Sequence, residues 1–192
     1  MKNLIRLLLI IALLTLAACG GNKVETTMNE PVEDFEATTQ DGDKLTRDDL
    51  KGQWLVVDFI FTNCTTVCLP MTSNMKKLQD KLEEAEVENY HLVSFSVDPD
   101  HDTPEVLTEY AEEYGADLST WTFLTGYDFE YIKNISVNSF KSLLAPPLEG
   151  DDQVTHGTAF YLVNPDGEII KKYDGKIAAE MDQIVEDLKN LQ

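Results

Sequence analysis

Apolar positions along the chain recur with two periods, and the alternation between them lays out the elements. Phe35 to Thr39 and Lys44-Leu45 flank Asp41-Gly42, a dipeptide suited to a hairpin turn. Trp54 to Phe61 (W-L-V-V-D-F-I-F) is nearly all apolar, as a strand covered on both faces should be. Met71, Met75, Leu78, Leu82 and Ala85 then follow steps of four, three, four and three, one buried stripe of a helix. Pro70 fits its first turn, where a missing N–H matters little. His91 to Val97 reads as a second buried strand, ended by Asp98-Pro99. Thr103 is an N-cap with Pro104 at the first helical position, and Gly115 stops that helix. Trp121 to Leu124 is a short strand, and Tyr127 to Val137 carries a weaker helical pattern. Ala145 to Gln153 is a loop. Thr158 to Val163 is a strand, Pro165-Asp166-Gly167 a turn, and Glu168 to Tyr173 the returning strand. Ala178 to Leu191 closes the chain as a helix, with Met181, Ile184, Val185, Leu188 and Leu191 inward.

Strand–helix–strand–helix–strand, followed by a hairpin and a helix, predicts an α/β fold with a central mixed sheet flanked by helices on both faces. In such sheets, sites form beyond the carboxyl ends of the parallel strands. Cys64 and Cys68 lie just past the end of the first buried strand, and Asp98 lies at the end of the second.

The first residues change the picture. Lys2 and Arg6 precede an apolar run from Leu7 to Leu16, the length of a signal-peptide core and well short of the ~20 residues that span a membrane. The run ends in L-A-A-C, which resembles a bacterial lipoprotein signal. The expectation is a signal peptide over 1–18, a lipidated Cys19 with a polar linker over 19–30, and one domain over 31–192. Such an anchor would hold the protein at the cell membrane, facing outside the cytoplasm, without spanning it.

Charge excludes one class of partner. The chain has 15 Lys+Arg against 35 Asp+Glu, a formal net charge of -20. Nucleic acid binding, which needs clustered cations, is not expected.

Cysteine usage is the sharpest bound. Of three cysteines, Cys19 goes to lipid and Cys64 and Cys68 remain. One close pair does not make a disulfide-stapled scaffold. At i,i+4 spacing on a helical turn, the two side chains share a face about 5–6 Å apart at Cβ. They can close a redox-active disulfide or point at one metal ion, and a helix N-terminus favours the thiolate either needs. The bland alternative is that Cys68 extends the apolar stripe. His156, in V-T-H-G-T, enters the next strand beside Gly157, whose backbone can approach closely. If that strand neighbours the Trp54 strand, two thiolates and one imidazole converge. Such a set suits Cu(I), Cu(II) with an added oxygen, or zinc if closed to four ligands. His91 and His101 read as non-ligands, and Met71 and Met75 as core.

Three segments carry a resemblance. F-T-N-C-T-T-V-C-L-P (Phe61–Pro70), S-V-D-P-D-H-D-T-P (Ser96–Pro104) and V-T-H-G-T-A-F-Y-L-V-N-P-D-G (Val154–Gly167) resemble, in order, the C-x-x-x-C-P, D-P-x-x-D-T-P and histidine-loop segments of the Sco/SenC family of copper-binding, thioredoxin-like proteins. The match departs at Thr65, Leu69 and Asn164, none of them a ligand position. The resemblance implies a thioredoxin-like fold binding one copper, Cu(I) or Cu(II), through Cys64, Cys68 and His156, with Asp98 as an auxiliary. It also implies service to cytochrome c oxidase subunit II, at its dinuclear copper centre. A thiol–disulfide reductase acting on the cysteines of that centre, or a redox or electron-transfer protein, is the alternative. Ordinary thioredoxins, however, use two residues between their cysteines, and place a cis-proline where His156-Gly157 stands here. A peroxidase would need an activated cysteine with a nearby arginine or a Gln/Trp arrangement, and these segments hold none.

Overall fold

The computed structural model describes residues 24–64 and 68–192, the side chains of Cys68 and Leu69 excepted. The expected signal segment and Cys19 therefore lie outside the described residues. So do Thr65 to Val67, between the two cysteines.

Among the described residues, eight strands form one sheet in the order β1 (Glu30–Pro31), β10 (Glu168–Asp174), β9 (Ala159–Val163), β4 (Trp54–Ile60), β5 (Tyr90–Ser96), β6 (Trp121–Thr125), β2 (Glu36–Thr39), β3 (Lys44–Thr46). Its centre is β4 (Trp54–Ile60), β5 (Tyr90–Ser96) and β6 (Trp121–Thr125), paired in parallel. Each parallel link needs a crossover, supplied by α1 (Cys68–Glu84) and α2 (Pro104–Tyr114). On one flank, β9 (Ala159–Val163) runs antiparallel to β4, and β10 (Glu168–Asp174) runs antiparallel to β9. On the other flank, the hairpin of β2 (Glu36–Thr39) and β3 (Lys44–Thr46) joins β6. Gly42 in its turn has φ 82°, which only glycine adopts without strain.

Near-continuous apolar strands make sense because both faces of the sheet are covered. Val56 and Ile60 of β4 point to a core with Met71, Met75, Leu78 and Leu82 of α1 and with α4 (Ala178–Leu191). Leu55, Val57 and Phe59 point the other way, to a second core with Phe35, Phe140 and α3 (Phe129–Asn138). Met71 and Met75 are fully buried, so packing accounts for them. Burial of each such side chain contributes roughly 1.5–3 kcal/mol.

Two features depart from the sequence expectation. Thr27 and Met28 donate backbone hydrogen bonds to the Ile170 carbonyl, and β1 (Glu30–Pro31) pairs with β10, so the end of the expected linker is part of the sheet. The loop expected over 145–153 is the tip of a small ribbon, β7 (Leu144–Ala145) against β8 (Thr155–His156). Among the described residues, no helix is long and apolar enough to cross a membrane.

Candidate metal centre

The neighbourhood of the first and last sequence motifs follows from sheet order. Because β9 lies beside β4, with Val57 opposite Tyr161, the segment entering β9 arrives at the carboxyl end of β4. Cys64 lies four residues past that end and is buried. Three contacts tie the two segments. The Asn63 amide donates to Asp152 Oδ2 at 2.8 Å, and the Gln153 amide donates to the Asn63 carbonyl at 3.1 Å. The Phe61 ring meets the His156 ring edge-on at 5.7 Å.

His156 itself is held by β8, opposite Leu144. Its Nδ1 lies 2.8 Å from the Gly157 carbonyl oxygen. A carbonyl only accepts, so Nδ1 carries the proton and Nε2 carries the ring lone pair. Metal-binding imidazoles are commonly oriented this way. Gly157 packs so tightly that a Cβ there would collide with Ser142 Oγ, and its N–H donates to the Leu143 carbonyl at 3.0 Å. The close backbone approach expected at this glycine is observed. The donor chemistry, one sulfur beyond β4 and one oriented imidazole before β9, fits a soft or borderline cation. Cys68 opens α1, four positions after Cys64 in the sequence, and its side chain is not among those described. Among the described residues, no three His, Cys, Asp or Glu side chains gather as a metal cage.

Asp98 sits at the start of the loop after β5. Its carbonyl accepts from the N–H groups of His101 at 3.1 Å and Asp102 at 2.9 Å, and its own N–H donates to Ser96 Oγ at 3.1 Å. Partial burial and the neighbouring Asp102 raise its carboxyl above the ordinary range, against the pull of His101. His91 bonds to Thr122 Oγ1 through Nε2 at 2.8 Å, away from the cysteine loop.

Two buried carboxyls escaped the sequence reading. Asp58 sits inside the apolar run of β4 and is completely buried. Ser94 Oγ donates to its Oδ1 at 2.6 Å, and Trp121 Nε1 donates to Ser94 Oγ at 2.9 Å. Its other oxygen has no hydrogen-bond partner among the described residues. Burial pushes its carboxyl up to about 7, with Ser94 and the charge of His156 pulling the other way. Its signal in the sequence is one acid in an apolar strand. Asp102 is also completely buried. It accepts from Thr62 Oγ1 at 2.6 Å, from Ser96 Oγ at 2.6 Å and from the Thr62 N–H at 3.3 Å. It therefore clamps the backbone two residues before Cys64 to the end of β5. The D-P-x-x-D-T-P segment holds both Asp98 and Asp102, and only the fold distinguishes them.

Comparison with known proteins identifies the family. The family model described as SCO1/SenC matches residues 23–192. A SCO1/SenC family lipoprotein from Bacillus anthracis superposes with TM-score 0.81 at 45% identity, over 85% of this chain and 95% of that one. BsSco, described as a member of the Sco family of cytochrome c oxidase assembly proteins with a disulfide switch, does so with TM-score 0.78 at 43% identity, over 86% and 95%. ScoI of Arabidopsis thaliana with copper bound has TM-score 0.70 at 25% identity, over 82% and 97%. A match across the whole described domain, in sequence and in shape, places the chain in the SCO1/SenC family.

Proposed function

We propose that this chain is a copper metallochaperone. It binds one copper ion as cargo through Cys64, Cys68 and His156, and it delivers that ion to the dinuclear copper centre of cytochrome c oxidase subunit II. Sco proteins take part in cytochrome c oxidase assembly, and relatives hold copper. The observation that carries the reading is His156. It is oriented through Nδ1 by a backbone carbonyl, and it meets Phe61 at the end of the strand that leads to Cys64.

Two thiolates and an imidazole select copper by softness. Thiolates near a surface loop also permit release, since an incoming cysteine of the acceptor can replace them one at a time. Oxidation of the two thiolates to a disulfide passes two electrons to an external oxidant, forms the S–S bond and removes two ligands, so occupancy and redox state form one coupled equilibrium. Asp98 is an auxiliary oxygen donor at the same mouth. A lipidated Cys19 would hold the domain at the outer face of the cell membrane, as suits a protein resembling a described lipoprotein.

Titration of the reduced protein with Cu(I) and Cu(II) tests this. The expected result is one tight copper per chain, weakened by at least about tenfold in His156→Ala. Full copper affinity in that variant, with a fall in thiol–disulfide exchange, would instead favour a reductase acting on the acceptor's cysteines. The disulfide switch described for BsSco makes that the second reading.

A further inference from the structure

We infer that His101 is a second copper ligand, outside the centre of Cys64, Cys68 and His156: an open landing site that takes Cu(II) at the rim. The inference takes copper as the cargo from the reading above, but its geometry is independent of that centre.

The first observation is orientation. His101 Nδ1 lies 3.2 Å from Asp102 Oδ1 and 3.4 Å from Thr62 Oγ1. A carboxylate accepts, so Nδ1 carries the proton and Nε2 the lone pair. Asp102 is completely buried while the His101 side chain is 53% exposed. The imidazole thus stands on a buried carboxylate, with Nε2 on the far side of the ring from it. A carboxylate behind the ring fixes the tautomer and the ring orientation.

The second observation is position. The same Asp102 holds both the N–H and the hydroxyl of Thr62, two residues before Cys64. One strut therefore carries the exposed imidazole and the start of the cysteine loop. The third is charge. His101 interacts electrostatically with Asp98 and with Asp152, and Asp100 and Asp102 adjoin Asp98. Asp152 is in turn bonded to Asn63, the residue before Cys64. A rim of one sign concentrates counter-ions at the mouth and speeds their arrival.

Chemistry then separates the two sites. One imidazole completed by water is a borderline set that suits Cu(II), whereas thiolates suit Cu(I). A single protein donor makes the site weak and fast to exchange, as a landing site must be. No electron transfer is part of this step: the ion arrives, exchanges water for Nε2, and leaves.

Two measurements on the full chain test it. In a Cys64→Ala, Cys68→Ala, His156→Ala background, Cu(II) titration followed by electron paramagnetic resonance should show one ion coupled to one imidazole nitrogen. Adding His101→Ala should abolish that signal. In the chain carrying only His101→Ala, stopped-flow loading with Cu(II) should slow about tenfold at low salt, with final occupancy unchanged. A signal that survives His101→Ala, or loading as fast as in the unaltered chain, overturns the inference. Failure of the three-residue centre to bind copper would show in the earlier titration and would leave the first measurement intact.

Discussion

Two carboxyls without solvent exposure lie under the strand ends that lead to the cysteine loop and to the loop after β5, and their surroundings differ. The mouth of the site wraps Asp102 in donors from three residues, Thr62, Ser96 and His101. Among the described residues, the interior of the sheet gives Asp58 one donor, Ser94, and none to its other oxygen. Burial of a charge is expensive unless hydrogen bonds replace water. Asp102 has that replacement and works as a strut. Asp58 lacks it, and burial moves its titration toward neutrality. The contrast separates what holds the loop in place from what can take up or release a proton beneath it.

The largest expected effect breaks the Asp58 side. Its folded pKa, about 7, lies above the ordinary 3.8, so between those values the folded chain binds more protons than the unfolded one. Its contribution is therefore fully present below about pH 4 and is lost as pH rises through 7, by up to about 4 kcal/mol. Many other acids titrate in this range, so the measurement is a difference. Urea unfolding from pH 4 to 8 should show the unaltered chain losing stability relative to Asp58→Asn as pH rises. Parallel curves would mean that Asp58 is charged in the fold throughout.

Breaking the other side comes next. Asp102→Ala removes the acceptor shared by Thr62, His101 and the buried Ser96, and denaturant unfolding should show a loss of about 3 kcal/mol. Asp102→Asn should recover part of it. If Asp102→Ala is as stable as the unaltered chain, the strut reading fails. A smaller change sharpens the comparison. Thr62→Val keeps the shape but deletes the hydroxyl that donates to Asp102 at 2.6 Å. It should cost about 1 kcal/mol, with the pH dependence assigned to Asp58 unchanged.

Much of this was legible in the chain. The steps of Met71, Met75, Leu78 and Leu82 foretold α1, and all four are fully buried. Thr103 and Pro104 foretold the start of α2: Thr103 φ is -68°, Pro104 begins the helix, and Gly115 ends it at φ 65°. The β7–β8 ribbon was not legible, because two residues per strand carry no period. Asp58 was hidden by its apolar neighbours, and Asp102 by sharing a motif with the more conspicuous Asp98.

By itself the sequence determined the longer strands and the helices, because periodicity and capping act over a few residues. It also determined the chemistry on offer: one cysteine pair, three histidines and a net charge of -20. Only the tertiary structure decided which of these meet. Setting β9 against β4 brought the His156 segment to the Asn63–Cys64 loop, and turning the loop after β5 inward buried Asp102 beneath Thr62 while His101 stayed outside. Such pairings span about 40 to 90 positions of chain. Local preference cannot encode contact over that separation; the packing of two cores against one sheet does.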